Sequence, residues 1–505
     1  MTIKNPIPYE LRLSTREQCR TMDKRTIEEF GIDGFTLMEM AGSKAASIIK
    51  QNEGVGKNGL FFCGKGNNAG DAFVVARYLC SQEHHSVTLV LTSDENDLST
   101  DAARNFALLK QIKEDGGDVS FTDDFQSIDQ RNFDYIVDGL IGTGLSSELR
   151  DPYAKIVDCI NSINLPTYSL DIPTGLDCDS GKILGSAVEA NHTLTFGANK
   201  RGFYLNTGRK CSGQIHVVRL PFPNKFHEYD ATLIDERWSE VLPPFERKAD
   251  HKYQKGTVHI VAGSQGLTGA AIMSAKSAWS SGAGAVILYV PKNLLPIYEI
   301  TLPEIIKIPV GEDSDTHFKP SHVDEILTKL ESKEGPLLIG PGIGVLQETQ
   351  KFVVNLLNKY SAQVVIDADA LLTWDKLGDI KKEIKKNWLI TPHIGELKKS
   401  IGQSFDDDSA RLEVCSMLAA NHSVSILSKG DPTMFINPNG EKSFTGYDTK
   451  KFSRAGFGDI LAGTITSYLS VKENLTHSVI AALCKGYAKS KNKPAQEIFE
   501  PRHLL

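Results

Sequence analysis

Gly456-Phe457-Gly458-Asp459 is followed at once by the apolar run Ile460-Leu461-Ala462-Gly463-Thr464-Ile465. A glycine-containing turn before a helix-compatible segment predicts backbone N–H groups that converge at a helix N-terminus, where the helix dipole favours a phosphate. Asp459 lies inside the turn and is a candidate base for a substrate hydroxyl. The alternative is a plain loop-to-helix junction in which Asp459 only caps the helix.

Length and composition limit the possible classes of protein. The chain has 505 residues, which predicts about two to four domains. A hydrophobic content of 40%, a charged content of 24% and a net charge of −7 are ordinary for a soluble protein and argue against nucleic acid as the main partner. The eight cysteines form no C-x-x-C pair, as expected of reduced thiols. With no signal peptide and no long apolar run, we expect a cytoplasmic protein without membrane contact.

The first half of the sequence repeats a strand followed by a polar loop. Residues 59–63 read as a buried strand, 64–71 as a Gly/Asn loop and 72–80 as a helix, and further strands are predicted at 86–91, 135–141 and 167–172. Ligands of parallel sheets bind beyond the carboxyl ends of the strands. We therefore expect one polar site fed by Asn67–Asp71, Asp138 and Asp171. Ordinary turns and helix-capping aspartates are the alternatives.

These motifs resemble the NAD(P)H-hydrate epimerase domain, which is the N-terminal part of bifunctional NAD(P)H-hydrate repair enzymes. The similarity covers residues 37–42, 63–71, 137–144, 171–181 and 193–200 with Gly202, in that order. It implies a Rossmann-like domain over residues 1–225, with Asp171 as the acid–base at C6 of a hydrated nicotinamide ring.

The same resemblance implies the ligands of this domain. The residues implied to bind the hydrate, NADHX or NADPHX, are Asn67, Asn68, Ala69, Gly70, Asp71, Gly142, Thr143, Gly144, Leu145, Ser146, Ser147 and Glu148. A potassium ion is implied beside Asn68, Asp138 and Thr174. Ala69 and Ala72 stand where the family usually has glycine, and their methyl groups are expected to narrow the loop.

The second half contains another series of strands and helices. Proline-containing segments at 220–224 and 242–244 bracket the predicted domain junction. The strands predicted beyond it are 256–264, 285–290, 336–339, 363–367, 388–390 and 424–428, with a helix at 269–284. This alternation predicts a second, separate α/β domain. Taken singly, His393 reads as a histidine with satisfied hydrogen bonds and Lys429 as a solvated charge.

Together with the opening turn, these loops resemble the ribokinase-like fold and, within it, the ADP- or ATP-dependent NAD(P)H-hydrate dehydratase. The resemblance implies a dehydratase domain over residues 235–505 that uses Mg²⁺ with ADP or ATP. Gly342 and His393 would contact the hydrate. The residues implied to bind the nucleotide are Lys429, Gly430, Thr433, Gly456 and Gly458, with Asp459 as the base. Phe457 stands where the family usually has a small or polar residue, and its ring is expected to crowd the pocket.

We therefore predict two three-layer α/β/α domains, an epimerase followed by a dehydratase, in a homo-oligomer. The implied reactions exchange the C6 epimers of NAD(P)HX, then phosphorylate the C6 hydroxyl of the S form and eliminate phosphate to restore NAD(P)H. One alternative is a ribokinase-like small-molecule kinase fused to a nucleotide-binding domain. Another is a non-catalytic binding scaffold, against which the retained Asp171 and Asp459 argue.

Overall fold

The computed structural model describes residues 7–242, 256–377, 385–402, 404–471 and 474–491. The chain divides into two compact units, a first unit of Tyr9–Ala231 and a second unit of Thr232–Leu505 that also includes Ile7 and Pro8. The boundary falls between the two proline-containing segments of the predicted junction. In the described part of the chain, no helix has both the length and the apolar character needed to cross a bilayer.

The first unit is built on strands that all run parallel. Its strands are β1 (Arg12–Ser14), β2 (Asn58–Cys63), β3 (Ser86–Leu91), β4 (Val119–Thr122), β5 (Tyr135–Gly139), β6 (Thr167–Leu170), β7 (His192–Phe196), β8 (Asn199–Lys200) and β9 (Gln214–Val218). Its helices are α1 (Arg16–Arg25), α2 (Gly34–Glu53), α3 (Asn67–Glu83), α4 (Thr100–Glu114), α5 (Tyr153–Ser162) and α6 (Gly208–Ser212). Seven strands form one sheet in the order β4-β3-β2-β5-β6-β7-β9. Counted from β2, its first six strands have the order 3-2-1-4-5-6 of dinucleotide-binding folds.

Helices cover both faces of this sheet. Side chains of successive strand residues point to opposite faces, and along β2 Phe61 and Cys63 belong to one apolar core while Leu60 and Phe62 belong to another. The first core is completed by α2, α3 and α4, and the second by α5. The predicted three-layer α/β/α arrangement is confirmed for this unit.

The second unit combines parallel and antiparallel strands. Its strands are β10 (Ala231–Ile234), β11 (Thr257–Val261), β12 (Ala285–Pro291), β13 (Ile306–Val310), β14 (Leu337–Ile339), β15 (Val364–Ile366), β16 (Trp388–Ile390), β17 (Ser425–Ser428), β18 (Met434–Ile436) and β19 (Lys442–Thr445). Its helices are α7 (Trp238–Val241), α8 (Thr268–Ser280), α9 (Leu295–Thr301), α10 (Val323–Ser332), α11 (Gln347–Lys359), α12 (Ile394–Ile401), α13 (Asp408–His422), α14 (Phe457–Leu469) and α15 (Leu475–Lys491). The order is β13-β12-β11-β14-β15-β16-β17-β18-β19-β10. Among the described strands of this unit, only the β17-β18 and β18-β19 pairings are antiparallel, so this unit is also α/β, as predicted.

Two local features of the first unit differ from the sequence prediction. Helix α3 begins at Asn67 with Gly66 as its N-cap, so Asn67–Asp71 form the first turns of a helix rather than a loop. The Asn/Gly pattern favours turns and helix starts alike. Ala69 and Ala72 are fully buried in the first apolar core. Their methyl groups therefore pack inward and do not narrow the site.

Helix α14, which follows the opening turn, packs closely against α8. A Cβ atom placed on Gly463 would lie 2.1 Å from Ser277 Oγ and 2.3 Å from the Ser274 carbonyl oxygen. Only glycine allows this approach, because one of the two contacts is with backbone. The contact fixes the position of the helix whose first turn contains Asp459.

Gly463→Ala should therefore destabilise the second unit. Overpacking at a well-packed contact typically costs about 1–3 kcal/mol, and the loss should appear as a lower urea midpoint at an unchanged m-value. Gly486→Ala is the matched control, since Gly486 also lies within a helix and a Cβ there would meet nothing within 4 Å. The control should be neutral or gain up to about 1 kcal/mol from helix propensity. Equal midpoints for Gly463→Ala and the parent would contradict the packing argument.

Candidate functional site

Asp171 follows β6 and points toward a buried lysine. Its backbone φ of 63° lies in the left-handed region, which aspartate and asparagine tolerate better than most residues. One carboxylate oxygen, Oδ1, accepts a hydrogen bond of 2.7 Å from Lys200 Nζ. The side chain of Lys200 is 1% exposed and that of Asp171 is 18% exposed. The carboxylate of this pair is therefore partly exposed to solvent, and the cation that binds it is buried.

Two more carboxyl groups, those of Asp71 and Asp23, interact electrostatically with Lys200. Burial, followed by the charges of Asp171 and Asp23, raises the pKa of Asp71 well above its ordinary value. Burial and the charge of Asp171 raise the pKa of Asp23, on α1, to about 7. Burial alone would lower the pKa of Lys200, but the charge of Asp171 raises it above its ordinary value. The sequence prediction gave no role to Lys200, although the motif at 193–200 contained it, and nothing in the sequence pointed to Asp23.

The predicted potassium ligands lie in the first turn of α3, in β5 and on the loop after β6. Asp138 is fully buried, and its Oδ1 accepts a hydrogen bond of 2.7 Å from Thr174 Oγ1. The side-chain oxygen and nitrogen of Asn68 are buried and have no hydrogen-bond partner among the described residues. A Cβ placed on Gly142 would lie 3.5 Å from Asn68 Oδ1 and 3.1 Å from Asp171 Oδ2. Asn68, Gly142 and Asp171 therefore converge.

The other predicted hydrate-binding residues spread outward from this point. Thr143 N donates to Asp171 Oδ2 at 3.4 Å. Asn67 is exposed and its Oδ1 accepts a hydrogen bond from Ser99. The side chain of Leu145 packs on the second apolar core. The exposed residues of the following loop are Gly144, Ser146, Ser147 and Glu148. The structure thus brings Asn68, Gly142 and Thr143 of the predicted hydrate-binding residues to Asp171. The exposed loop residues that follow make no contact with Asp171 that the structure shows.

The second unit contains a cavity of about 760 Å³ around the first turn of α14. The predicted residues that line it are His393, Lys429, Gly430, Thr433, Gly456, Gly458 and Asp459. Gly342 is not part of this lining. Its φ is 59°, and a Cβ there would lie 2.5 Å from the Leu267 carbonyl oxygen. Its role in hydrate binding stays a prediction.

Asp459 is not a helix cap. Helix α14 begins at Phe457 with Gly456 as N-cap, at a φ of 95°, so Asp459 is the third helical residue. The capping alternative is therefore wrong. Burial, followed by the charge of Asp367, raises the pKa of Asp459 to about 7, while Lys429 opposes the increase. A carboxyl group with this pKa can accept a proton at neutral pH.

Lys429 is held beside this helix N-terminus. Its Nζ lies 2.7 Å from Asp367 Oδ1, which also accepts a hydrogen bond of 2.7 Å from Thr391. Burial alone would lower the pKa of Lys429, but the charges of Asp367 and Glu396 raise it. A Cβ placed on Gly458 would lie 3.2 Å from Lys429 Nζ. The interpretation of Lys429 as a solvated charge is therefore wrong.

His393 and Phe457 form parts of the cavity wall. His393 caps α12, and its Nδ1 accepts a hydrogen bond of 2.9 Å from Gly395 N. This bond satisfies one ring nitrogen, and the side chain is still 59% exposed. The ring of Phe457 is buried and packs edge-on against Phe452 at 5.7 Å.

Comparisons with known proteins find relatives for both halves of the chain. The family described as YjeF-related protein N-terminus matches residues 34–202, and the family described as NAD(P)H-hydrate dehydratase matches residues 258–504. The bifunctional NAD(P)H-hydrate repair enzyme Nnr of Salinibacter ruber is 31% identical, over 97% of this chain and 93% of its own. The Nnr enzyme of Dictyoglomus turgidum is 31% identical over 97% of each chain. The chain belongs to the bifunctional NAD(P)H-hydrate repair enzymes.

The family assignment confirms the resemblance found in the sequence. A solved structure of the Bacillus subtilis ADP/ATP-dependent NAD(P)H-hydrate dehydratase, co-crystallised with ATP and Mg²⁺, is 23% identical and covers 54% of this chain and 96% of its own. Its TM-score is 0.42, which is too low for the likeness to support a conclusion about the site.

Lys200→Met should strongly destabilise the first unit. Removing one partner of a buried ion pair typically costs about 3–5 kcal/mol, because the other charge stays behind. Asp171 would then lie beside Asp71 without a cation. Lys210→Met is the matched control, since Lys210 pairs with Glu189 on the surface with side chains 67% and 48% exposed, and such pairs contribute about 0–1 kcal/mol. Urea unfolding of the two variants measures the difference. Similar losses would show that Asp171 does not depend on Lys200.

Proposed function

We propose that this chain repairs hydrated NADH and NADPH in two reactions. The first unit exchanges the C6 epimers of NADHX and NADPHX, and the second dehydrates the S form to NADH or NADPH with ADP or ATP as phosphoryl donor. The observation that carries the proposal is Asp459, a half-buried carboxyl group in the first turn of α14 with a pKa near 7 beside Lys429. The family membership of both halves supports it.

In the first unit, Asp171 is the group that moves a proton at C6. Its carboxylate is held by Lys200 and faces Gly142, whose missing side chain leaves room for a ring. Lys200 orients this carboxylate through their hydrogen bond. Asp71 is protonated more readily because of its raised pKa, and it lies in the same group of carboxyls. The geometry thus offers a carboxylate paired with a buried cation beside a carboxyl group with a raised pKa, and acid–base exchange uses carboxyl groups in two such different environments.

We propose that potassium binds beside Asn68, Asp138 and Thr174. Asn68 Oδ1 is a buried acceptor without a partner among the described residues. Thr174 Oγ1 and the Ile141 carbonyl oxygen lie 3.2 Å apart, and neutral oxygens of this kind coordinate K⁺. Asp138 Oδ1 and Oδ2 each accept two hydrogen bonds. Asp138 would therefore attract the ion through its negative charge, without coordinating it directly, while Thr174 provides the coordinating oxygen. When bound, K⁺ would supply a fixed positive charge for anionic groups of the substrate.

Asn68→Leu should remove the response to potassium. The parent's thermal midpoint should rise with added KCl because a ligand that binds the folded state stabilises it, and epimer exchange should be faster in KCl than in tetramethylammonium chloride of equal ionic strength. Asn68→Leu keeps the side-chain size but has no oxygen, so both differences should vanish. A parent midpoint and exchange rate that are the same in the two salts would contradict the site.

In the second unit, Asp459 acts as the base for the C6 hydroxyl. The N–H groups at the start of α14, together with Lys429, are placed to stabilise the charge of the transferring phosphoryl group. Phosphorylation turns hydroxide, a poor leaving group, into phosphate, which departs as the ring nitrogen donates electrons. We propose that Mg²⁺ arrives on the nucleotide phosphates, as is usual for this ion. Glu396 is a separate carboxylate in the cavity wall that suits it.

Asp459→Asn and Asp171→Ala should separate the two reactions. With mixed NADHX epimers and ADP or ATP, Asp459→Asn should reduce NADH regeneration by about 100- to 10,000-fold and leave epimer exchange by NMR intact. Asp171→Ala should do the reverse. Because Asp459 must be ionised to accept the proton, the parent's regeneration rate should rise with pH around a midpoint near 7. A raised folded-state pKa also means that ionising Asp459 lowers the parent's free energy of unfolding as pH rises through 7, a decline that Asp459→Asn should lack.

Other outcomes would favour the alternatives. A stable phosphorylated product without NADH would indicate a small-molecule kinase, and regeneration by Asp459→Asn at the parent rate would refute the proposed base. No reaction with either nucleotide would favour a binding scaffold. We place the enzyme in the cytoplasm, where the eight free cysteines would stay reduced. The homo-oligomer stays a prediction.

A further inference from the structure

The first unit contains a cavity at the carboxyl ends of β3 and β4, separate from the one described in the second unit. Its volume is about 650 Å³. The residues that line it are Val90, Leu91, Thr92, Ser93, Asp94, Glu95, Phe121, Thr122, Asp123, Phe125, Pro152 and Ile156. The reactions proposed above give this cavity no role. Its wall carries the aromatic rings of Phe121 and Phe125 on the β4 side, and both sides contribute side-chain oxygens, Asp94 after β3 and Asp123 after β4.

The sheet order places this cavity where dinucleotide-binding folds hold an adenosine. In such folds the dinucleotide crosses the sheet at the switch point, here between β2 and β5, with the pyrophosphate at the N-terminus of the first helix after that strand. That helix is α3. Asp171 follows β6 on one side of the switch point, and the cavity follows β3 on the other. The adenosine half of a hydrate whose nicotinamide lies at Asp171 therefore reaches the end of β3.

The oxygens at the end of β3 match a ribose. In NAD-binding folds a carboxylate at this position accepts hydrogen bonds from the ribose hydroxyls. Asp94 occupies it, and its Oδ1 accepts a hydrogen bond of 3.0 Å from Asn96 N, which fixes the side chain. The buried Ser93 Oγ has no partner among the described residues. Thr92 Oγ1 donates to the Cys63 carbonyl oxygen at 3.0 Å, which ties the end of β3 to that of β2.

The charges of the cavity disfavour a phosphate on that ribose. The lining residues contributed by the described chain carry three carboxylates, on Asp94, Glu95 and Asp123, and include no lysine, arginine or histidine. The Nζ atom of Lys110 lies 2.7 Å from Glu95 Oε1 and offsets the charge of that carboxylate. NADPHX carries a 2′-phosphate, which folds that bind NADP usually meet with an arginine. Here the phosphate would face carboxylates instead.

We propose that Asp94 and Asp123 make the epimerase unit selective for NADHX over NADPHX. The inference rests on the proposed epimerase function and adds a substrate preference to it. Two like charges facing a phosphate at short range are expected to cost roughly tenfold or more in kcat/KM. Because the carboxylates are exposed, the preference should shrink as salt increases.

The test compares epimer exchange of NADHX and NADPHX by the full-length protein at low salt. The parent should show a kcat/KM at least about tenfold higher for NADHX. The double variant Asp94→Asn/Asp123→Asn keeps the shapes of both side chains, and the new amide oxygen at position 94 can still accept the hydrogen bond from Asn96 N. This variant should raise kcat/KM for NADPHX toward the value for NADHX. Asp115→Asn is the matched control, because Asp115 is an exposed carboxylate at the C-terminal end of α4. It removes one negative charge from the same unit and should leave the ratio unchanged.

A second measurement needs no variant. AMP should inhibit epimer exchange competitively, and adenosine 2′,5′-bisphosphate should do so roughly tenfold more weakly. Equal kcat/KM for the two hydrates in the parent would overturn the preference and leave the epimerase function standing. A preference that persists in the double variant would overturn its assignment to Asp94 and Asp123. Exchange of neither hydrate would refute the epimerase function itself, and the preference with it.

Discussion

A buried lysine paired with an aspartate that directly follows a parallel strand occurs in each unit, and the polar sites depend on these pairs. Lys200 meets Asp171 after β6, and Lys429 meets Asp367 after β15, each at 2.7 Å. An ammonium group can be buried only when a carboxylate compensates it. Each pair therefore needs its strand and loop to be in place. Burial and neighbouring carboxylates raise the pKa values of Asp71 and Asp459, and the lysine of each pair opposes that increase.

The two units use this arrangement differently. In the first, the carboxylate of the pair is the one proposed to react, and the lysine orients it. In the second, Asp367 is occupied by Lys429 and Thr391, and the proposed base is the separate Asp459. Burial and the charge of Asp367 raise the pKa of Asp459 to about 7, and Lys429 opposes this increase. The same kind of ion pair thus contains the proposed reacting group in one site and lies beside it in the other.

The two α/β units and most of the candidate site residues could be predicted from the sequence. The ion-pair partners and the exact helix starts could not, for physical reasons. Strands followed by Asp, Gly or Thr place Asp138 and Asp171 at one edge of the sheet, and the strand pattern predicted both α/β units. The start of α3 at Asn67 was missed because Asn and Gly favour loops and helix starts alike. The partner of Lys429 lies 62 residues away in sequence, and that of Lys200 is 29 away. Such pairs form only in the folded chain. Similarly, the sequence leaves Asp459 as a possible cap, because it does not show which residue of a glycine turn begins the helix.

The left-handed backbone at Asp171 has a consequence for how this protein can change over generations. Only glycine, asparagine and aspartate adopt that conformation readily, and of the three only aspartate ionises. The exchanges that this backbone conformation tolerates are therefore the ones that abolish the proposed proton transfer, and each of them leaves Lys200 buried without its carboxylate. A duplicated copy of the gene released from selection would lose chemistry and stability together at this position. Asparagine or glycine at this position in an otherwise intact relative would mark such a copy.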